Sequence, residues 1–312
     1  MPVPRLFCLD TVLVDVDLRV RSLPERAGDV RASSQLITTG GGFNAMSAAT
    51  RHDLSVVYAG RLGRGPFATV ASTDLASEGI ETPLESNDDL DCGVCVVLVE
   101  PDGERTFITA PGAESTLRAS DLAALTPTGD DVVLVSGYNV MYRDMDVVVL
   151  RWLEELSPDV IVAFDPATRV EDVPAQNLNR ILARATWLLC NRAEAAELSG
   201  ESDPLVAADK LSRAHGSLNV LVRTGGEGCV VATRDRAAVA VKGFRTRVID
   251  TTGAGDVHNG VFLAELIGGL DPVDAARYAN AAAAMSVAVP GPATSPTRLE
   301  VEAFIAHQPE SS

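Results

Sequence analysis

Long apolar runs are missing from this chain of 312 residues, and its acids outnumber its bases to give a formal net charge of −17. No stretch approaches the ~18 apolar residues of a membrane-spanning helix. The run between Arg5 and Asp10 is too short for a secretory signal. The acidic balance disfavours nucleic acid or an anionic membrane as the main partner, because both attract basic patches. These absences predict a cytoplasmic protein that binds neither.

Cysteine is also scarce, with five residues scattered along the chain. An odd number at irregular spacing argues against a disulfide scaffold and fits a reducing compartment. Cys92 and Cys95 have C-x-x-C spacing, but no second Cys or His pair for zinc accompanies them, and residues 92–99 have the pattern of a strand. We interpret these two cysteines as structural.

What the chain has is an alternation of apolar strands and helices from Asp130 onward. This pattern predicts a parallel, doubly wound α/β sheet. Ligands of such sheets bind at the carboxyl ends of the strands. The last strand of the series is predicted at residues 242–249. Four features follow directly on predicted strands and are expected at one rim: Asp165, Asn191, the loop at Gly225, and Asp250.

The most informative stretch, residues 250–260, is Asp-Thr-Thr-Gly-Ala-Gly-Asp-Val-His-Asn-Gly. Gly253, Ala254 and Gly255 stand where a helix begins, so an anion can approach the free N–H groups closely. Asp256 follows at once and could take a proton from an attacking hydroxyl. The stretch therefore suits phosphoryl transfer. A Gly-rich turn with an ordinary first-turn acid explains the same residues equally well.

A second glycine-rich segment, residues 40–44, leads into a predicted helix. Gly41 and Gly42 again allow close backbone approach. Asn44 offers a donor and an acceptor, which suits a sugar hydroxyl, although a simple N-cap is the alternative. Asp15 lies in an alternating run, residues 7–20. It is either a ligand group or a strand residue facing solvent, and the period alone favours the second.

Asn191 and Glu194 stand one helical turn apart. Such a pair can cap a helix or offer oxygen ligands to a hard cation, often through water. Gly225 and Gly228 lie in a strand–loop–strand unit for which a hairpin turn is the simplest explanation. A later predicted helix has small residues around Asn280, which leave room for adenine or pack against another helix. The chain has no P-loop motif.

These motifs, in this order over nearly the whole chain, resemble those of the PfkB (ribokinase-like) carbohydrate kinases. Residues 250–256 are similar to the family's second signature, Asp-Thr-x-Gly-Ala-Gly-Asp. The resemblance implies that Asp256 is the catalytic base and that the backbone of Gly253, Ala254 and Gly255 is the anion hole. Residues 40–44 partly resemble the first signature. The resemblance implies sugar binding by a further set of residues: Asp15, Gly41, Gly42 and Asn44.

The resemblance also implies the cofactors. Asn191 and Glu194 match the family's Asn-x-x-Glu motif, which is linked to Mg²⁺ and phosphate. Gly225 and Gly228 match its nucleotide loop, and Arg223 stands where Thr or Lys is common. We expect ATP at this loop and at Asn280. Ribokinases bind potassium beside the anion hole, and we therefore hypothesise potassium activation here. The matching positions are Asp250, Thr252, Gly291 and Ser295.

The implied fold is α/β, a doubly wound, mostly parallel sheet flanked by helices, in a single domain over residues 1–312. A small β-sheet lid is expected from residues 12–37 and 91–111, with homodimers formed through the lid. The implied reaction is ATP-dependent phosphorylation of a sugar primary hydroxyl. A nucleoside or phosphosugar kinase is the alternative within the family. A kinase-fold binding protein without turnover is the alternative outside it.

Several residues depart from the family pattern. His258 stands where Phe is usual, Leu13 where ribokinases have Asn, and Gly65 and Ala68 replace the Asp and last Gly of Gly-x-Asp-x-x-Gly. A phosphosugar would need several basic residues at the sugar site. Only three are candidates, and surface charge is the simpler explanation for the first two: Arg61, Arg64 and Arg105.

Overall fold

The structure is a computed structural model that describes residues 3–167, 170–216 and 218–308. The two ends of the predicted 1–312 domain lie outside the described residues. The strands are β1 (Arg5–Cys8), β2 (Val12–Arg19), β3 (Ser34–Gly41), β4 (Ser55–Tyr58), β5 (Val94–Val99), β6 (Arg105–Ala110), β7 (Val132–Ser136), β8 (Ile161–Asp165), β9 (Trp187–Asn191), β10 (Asn219–Arg223), β11 (Gly228–Thr233) and β12 (Arg236–Lys242).

Helices cover both faces of the larger sheet. They are α1 (Phe43–Thr50), α2 (Pro66–Ser77), α3 (Ala119–Ala123), α4 (Gly137–Met141), α5 (Met145–Glu155), α6 (Ala175–Arg184), α7 (Arg192–Ser199), α8 (Pro204–Ala214), α9 (Ala254–Ile267), α10 (Pro272–Ser286) and α11 (Arg298–His307). One apolar core lies under α1, α2, α9, α10 and α11, and the other lies under α3 to α8. This layering is that of a doubly wound fold.

The larger sheet has the strand order β12-β11-β10-β9-β8-β7-β1-β4. All its pairs from β10 to β4 are parallel, and β11 and β12 are added antiparallel at one edge. Strands β7 to β10 are apolar runs that each end in a polar residue, as expected for strands buried on both faces. The predicted α/β class with a mostly parallel, doubly wound sheet is confirmed.

The smaller sheet has the order β3-β2-β5-β6 and corresponds to the predicted lid. The run at residues 7–20 is not one strand. It divides at Leu9, Asp10 and Thr11 into β1, in the larger sheet, and β2, in the lid. The division lets a single segment connect the core of the fold to the lid, with Asp10 at the junction.

The strand predicted at residues 242–249 is wrong. Strand β12 ends at Lys242, and the chain then runs without regular structure to α9. Its β-prone residues Val248 and Ile249 are exposed, and the N–H groups of Ile249 and Asp250 donate to the carbonyl of Val287 at the end of α10. β-propensity alone does not make a strand where no neighbouring strand accepts the ladder hydrogen bonds.

The five cysteines are buried and free, which agrees with the structural interpretation of Cys92 and Cys95. Cys92, from the C-x-x-C pair, accepts a hydrogen bond from the Gly63 N–H group at 3.5 Å. Over the described part of the chain, none of the helices combines the length and apolar composition required to span a bilayer.

Candidate active site

A cavity of about 1200 Å³ lies between the lid and the carboxyl ends of the central strands. Asp10 follows β1, and the polar ends of β8, β9 and β10 are Asp165, Asn191 and Arg223. All four residues line the cavity. The rim predicted from strand ends is therefore present. Asp250 lies near this rim, but it is carried there by the irregular segment after β12 and does not stand at the end of a strand.

Helix α9 begins at this cavity, after Gly253, whose φ of 71° is in the left-handed region that favours glycine. The N–H groups of Gly255 and Asp256 belong to the first turn, where a helix supplies no acceptors of its own. The Asp256 carboxylate faces Asn44 from α1, and the Asn44 Nδ2 group donates to Asp256 Oδ2 at 3.2 Å. Two motifs that are 212 residues apart in sequence thus meet at one point.

Burial raises the pKa of Asp256 to about 7, and the charges of Asp10 and Asp165 add to the increase, while Asn44 and Arg223 oppose it. Burial also raises the pKa of Asp10 to about 6, although hydrogen bonds from Ser136 and Thr11 lower it. A carboxylate with a pKa near neutrality is suited to accept a proton at physiological pH.

The cavity is lined by Asp15 and Gly41, two of the four predicted sugar contacts, and Asn44 contacts Asp256, which also lines it. The Asn44 Oδ1 atom is buried and has no hydrogen-bond partner among the described residues. Burial, with the neighbouring charge of Asp17, raises the pKa of Asp15 to about 7. Gly41 has a φ of 63°, and a Cβ on Gly42 would lie 2.6 Å from the Cβ of Asp10. The glycines therefore allow the segment before α1 to pass close beside Asp10.

Arg223 is the centre of a buried polar network. Its Nη1 group donates to Asp165 Oδ2 at 3.1 Å and to Asn259 Oδ1 at 2.5 Å, and its Nη2 group lies 3.8 Å from Glu194 Oε2. Asn259 in turn donates to Asp165 at 2.5 Å. The guanidinium, whose side chain is 14% exposed, supplies positive charge among four carboxylates that otherwise repel one another: Asp10, Asp165, Glu194 and Asp256.

Asn191 and Glu194 form a capping box at the start of α7. Asn191 Oδ1 accepts from the N–H groups of Ala193 and Glu194, and Glu194 Oε2 accepts from the Asn191 N–H group at 2.8 Å. Burial and repulsion by Asp165 raise the pKa of Glu194 to about 7. No group of three or more potential metal-ligating side chains occurs in the portion of the chain that the structure describes. Any metal here would therefore depend on water or substrate for most of its ligands.

The cavity is also lined by the loop between β10 and β11, where Gly225 and Gly228 have φ values of 65° and 108°. Asn280 on α10 lines it as well. Its Nδ2 group donates to the carbonyl oxygens of Val241 at 3.1 Å and Lys242 at 3.4 Å. These bonds orient its Oδ1 atom toward His258 Nε2, 3.0 Å away. Asn280 thus ties α9, α10 and β12 together.

The four positions matched to potassium are only partly brought together. Asp250 accepts from the Thr252 N–H group at 2.9 Å and the Thr252 hydroxyl at 2.7 Å, and from the Gly291 N–H group at 3.1 Å. Ser295 is bound elsewhere, because its carbonyl accepts from Arg51 and its hydroxyl donates to the Pro296 carbonyl. Arg105 Nη2 also donates to Asp250, at 2.5 Å.

The sequence profile of the pfkB family carbohydrate kinases matches residues 3–298. The chain belongs to the pfkB family. It is 34% identical over 300 residues to the uncharacterized sugar kinase YegV of Escherichia coli K12. The alignment covers 95% of this chain and 92% of that protein. It is 28% identical over 298 residues to the ATP-dependent ribose-1-phosphate kinase of Halopiger xanaduensis. That alignment covers 94% of this chain and 95% of the relative. The enzyme is a carbohydrate kinase, as the resemblance implied.

Ribokinase from Thermotoga maritima has the same pfkB-family fold. Its crystal structure superposes with a TM-score of 0.82, over 97% of this chain and 100% of that chain, at 24% identity. At this identity the similarity establishes the fold alone.

Two departures from the pfkB-family pattern have structural reasons. The Asn280 amide presents an acceptor to His258, so His258 Nε2 must carry the proton. Burial and the charge of Arg223 lower the pKa of His258 to about 3, which keeps the ring neutral. At Gly65, a Cβ would lie 2.4 Å from the carboxyl group of Asp91, which caps the start of α2 by accepting from the Ala68 N–H group at 2.7 Å.

Of the two arginines interpreted as surface charge, Arg61 differs from that interpretation and Arg64 agrees with it. Arg61 is buried, lies 3.6 Å from Asp121 and donates to the Thr116 carbonyl at 3.2 Å. Arg64 is exposed and pairs with Asp88. Of the three candidates for a substrate phosphate, only Arg105 lines the cavity.

Sequence reasoning missed Asp10 and Asn259 and did not pair Arg105 with Asp250. Asp10 obeys the same strand-end rule that found Asp165, but it lies inside the alternating run at residues 7–20, and only the structure shows that β1 ends before it. Asn259 lies three residues after Asp256, on the same side of α9.

Proposed function

We propose that this pfkB-family kinase transfers the γ-phosphoryl group of ATP to a primary hydroxyl of an unphosphorylated sugar, with Asp256 as the general base. The contact between Asp256 and Asn44 at the start of α9 carries the proposal. A hydroxyl that donates to the buried, unpartnered Asn44 Oδ1 atom would lie beside the base. It would also lie beside the first-turn N–H groups, which are suited to charge that develops on a phosphoryl group.

The choice of an unphosphorylated sugar rests on charge. Asp10, Asp15 and Asp256 all line the cavity, and they would repel a phosphate group carried by the sugar. Arg105 is the one candidate arginine there, and it is paired with Asp250. A phosphosugar kinase is the second candidate, because the Halopiger relative is named as a ribose-1-phosphate kinase.

A panel assay tests the proposal directly. ADP formation should be measured with ATP and Mg²⁺ over pentoses, hexoses, nucleosides and sugar phosphates. We expect turnover with one or more free sugars. Turnover restricted to sugar phosphates or nucleosides would support the alternative kinases. Binding of a sugar by calorimetry without any ADP formation would identify a kinase-fold binding protein.

We also propose that ATP binds along the loop from Gly225 to Gly228 and near Asn280, with its phosphates toward α9. Mg²⁺ takes one or two carboxylates together with substrate phosphates and usually keeps several waters. Glu194 offers such a carboxylate beside the predicted phosphates, whereas Asn191 Oδ1 is already used by two N–H groups. The donor set therefore fits this ion. When bound, it would neutralise charge on the phosphates of ATP.

Replacement of Asp15 should separate its sugar role from a role in the strand. A charge-assisted hydrogen bond to a hydroxyl contributes ~1.5–3 kcal/mol. We therefore expect Asp15→Ala to raise the KM for the sugar by roughly 10- to 150-fold and to leave the KM for ATP nearly unchanged. Steady-state kinetics in both substrates measure this, with Asp102→Ala at the exposed β5–β6 turn as control. Unchanged KM values for both substrates would make Asp15 a strand residue only.

The pH dependence should show the coupling between Asp10 and Asp256. The base must be ionised, so kcat/KM should rise as the pH increases through about 7, where the pKa of Asp256 lies. Asp10→Asn removes a repulsive charge, lowers the pKa of Asp256 and should move this acid limb to lower pH. Asp235→Asn, at the exposed β11–β12 turn, should leave it in place. An unmoved limb in Asp10→Asn would mean that the two carboxylates are not coupled.

A dimer through the lid is proposed from the register of its strands. Ile37, Val16, Val96 and Ile108 lie side by side across the four strands, on the face opposite Asp15. Ile37 and Ile108 are 49% and 59% exposed. An apolar row of this kind on a solvent-facing sheet is typical of an interaction surface.

We expect Ile108→Lys to give a monomer by light scattering at micromolar concentration. Phe107→Lys is the matched control, because Phe107 is 60% exposed but belongs to the face that carries Asp15. The control should remain a dimer. Monomeric wild-type protein would contradict the proposal.

A further inference from the structure

The carboxylate of Asp250 accepts four hydrogen bonds. Its Oδ1 atom accepts from the Thr252 N–H group, the Thr252 hydroxyl and Arg105 Nη2, and its Oδ2 atom accepts from the Gly291 N–H group. Each oxygen of an ionised carboxylate has about two acceptor sites, so Oδ1 is fully used and Oδ2 keeps one. A monovalent cation beside Asp250 would be repelled by the guanidinium of Arg105, which already pairs with this carboxylate. The Asp250 environment therefore does not fit the hypothesised potassium ion while Arg105 is in place.

The later loop of the hypothesised potassium site is likewise occupied by arginine. Arg51 Nη1 donates to the carbonyl oxygens of Ser295 at 2.7 Å and Ala293 at 3.2 Å. The Ser295 hydroxyl donates to the carbonyl of Pro296. Carbonyl oxygens of this loop, which would be the ligands of a large cation, thus accept from a guanidinium instead.

Arg105 reaches Asp250 from strand β6 of the lid, and the two residues are 145 positions apart. Both side chains are mostly buried, at 25% and 13% exposure. Burial alone would raise the pKa of Asp250, but hydrogen bonds from Thr252 and Arg105 outweigh it and hold that pKa below its ordinary value. Hydrogen bonds from Thr252, together with the guanidinium of Arg105, thus keep the carboxylate ionised.

The position of Asp250 gives this cation a role in the reaction. Asp250 fixes the N–H group and the hydroxyl of Thr252, which directly precedes Gly253 and the first turn of α9. We propose that the Arg105 guanidinium is a built-in cation, in the place where a potassium ion would otherwise act. It would position residues 253–256, the first turn of α9 with the expected anion hole and base, which we call the anion turn. Arg105 is a positioning residue, since it acts through Asp250 and Thr252. The kinetic test of this inference rests on the proposed kinase activity, whereas the thermal test does not.

The location of Arg105 on the lid links the lid to the first turn of α9. The cation reaches Asp250 only when β6 lies over the cavity, in the same sheet as Asp15 on β2. The sugar end of the site and the anion turn are therefore coupled through the lid. A soluble ion would provide no such connection.

The first test compares wild-type rates in potassium and in tetramethylammonium at equal ionic strength, with Mg²⁺ saturating. We expect the two rates to agree within about twofold. Arg105→Met should lose roughly 10-fold or more of kcat in tetramethylammonium, as expected when a charge-assisted bond is removed, and should recover much of it in potassium. Arg105→Lys should resemble the wild type. Arg19→Met, which removes an exposed arginine from the same sheet, should show no dependence on the cation.

The second test uses thermal unfolding and needs no substrate. Potassium should raise the Tm of Arg105→Met relative to tetramethylammonium and should leave the wild-type Tm unchanged. The double variant Arg105→Met/Asp250→Asn should lose the potassium effect, which would locate the ion at Asp250. If the wild type has no kinase activity on any substrate, the proposed function fails while this thermal comparison still decides the cation proposal.

Three results would overturn the inference. The first is strong activation of the wild type by potassium. The second is an Arg105→Met variant that folds and keeps the wild-type rate and the wild-type Tm in tetramethylammonium. The third is loss of activity in Arg105→Met toward sugar phosphates alone, which would make Arg105 a substrate contact.

Discussion

Asp256→Asn should lower kcat by ~10²–10⁴, the usual contribution of a general base. The amide keeps the shape of the carboxylate and its oxygen can still accept from Asn44 Nδ2, so the fold and the affinity for ATP should change little. Single-turnover kinetics with the preferred sugar, and ATP binding by calorimetry, measure the two effects separately. The loss in rate should not be recovered by raising the pH, because an amide cannot take the proton.

The matched control for this substitution is Asp274→Asn. Asp274 occupies the first turn of the next helix, α10, but is exposed. It therefore carries the same change of charge at the same helical position without access to the cavity. Wild-type turnover is expected in the control. Wild-type turnover in Asp256→Asn itself would remove Asp256 from the mechanism.

Arg223→Met should have a comparably large effect, on stability as well as on activity. The substitution leaves Asp165 and Glu194 without the guanidinium that lies between them. Removal of one partner from a buried ion pair typically costs about 3–5 kcal/mol. Arg223 also lowers the pKa of Asp256, so its loss should move the acid limb of kcat/KM above pH 7. This shift is opposite in sign to the one expected for Asp10→Asn.

Urea unfolding and the pH profile of kcat/KM test the two parts of the Arg223 prediction. Arg180→Met is the control for stability, because Arg180 pairs with Glu154 on the surface, where such pairs contribute about 0–1 kcal/mol. Arg223→Lys keeps the charge without the planar fork and should keep the acid limb near its wild-type position. An Arg223→Met protein with wild-type stability would show that the buried carboxylates are neutralised in another way.

The turn that begins α9 could be predicted from sequence because its information is local. Gly253 to Asp256 are consecutive, and the small residues, the helix start and the acid all follow from their order. The contact of Asp256 with Asn44 could only be inferred from the family resemblance, since neither segment contains local information about its distant partner. The pairing of Arg105 with Asp250 could not be predicted at all, because it depends on how far the lid leans over the core.

Strand prediction failed where the decisive fact lay outside the segment. Residues 242–249 have β-prone side chains, but the edge strand β12 has already ended at Lys242. Whether such residues form a strand depends on a free neighbouring edge. The placement of Asp15 was likewise decided by strands outside its own segment. The period of its strand favours solvent, yet the register of β2 in the lid turns that face toward the cavity.

The place of β1 bears on how the chain folds during synthesis. It lies between β4 and β7, and Leu6 pairs with both Val56 and Val132. One edge of β1 therefore stays open until more than 130 residues have left the ribosome, and the buried face of α1 waits still longer for α9. Open parallel edges and uncovered apolar faces favour aggregation. We expect nascent chains that stop before β7 to need a chaperone to stay in solution.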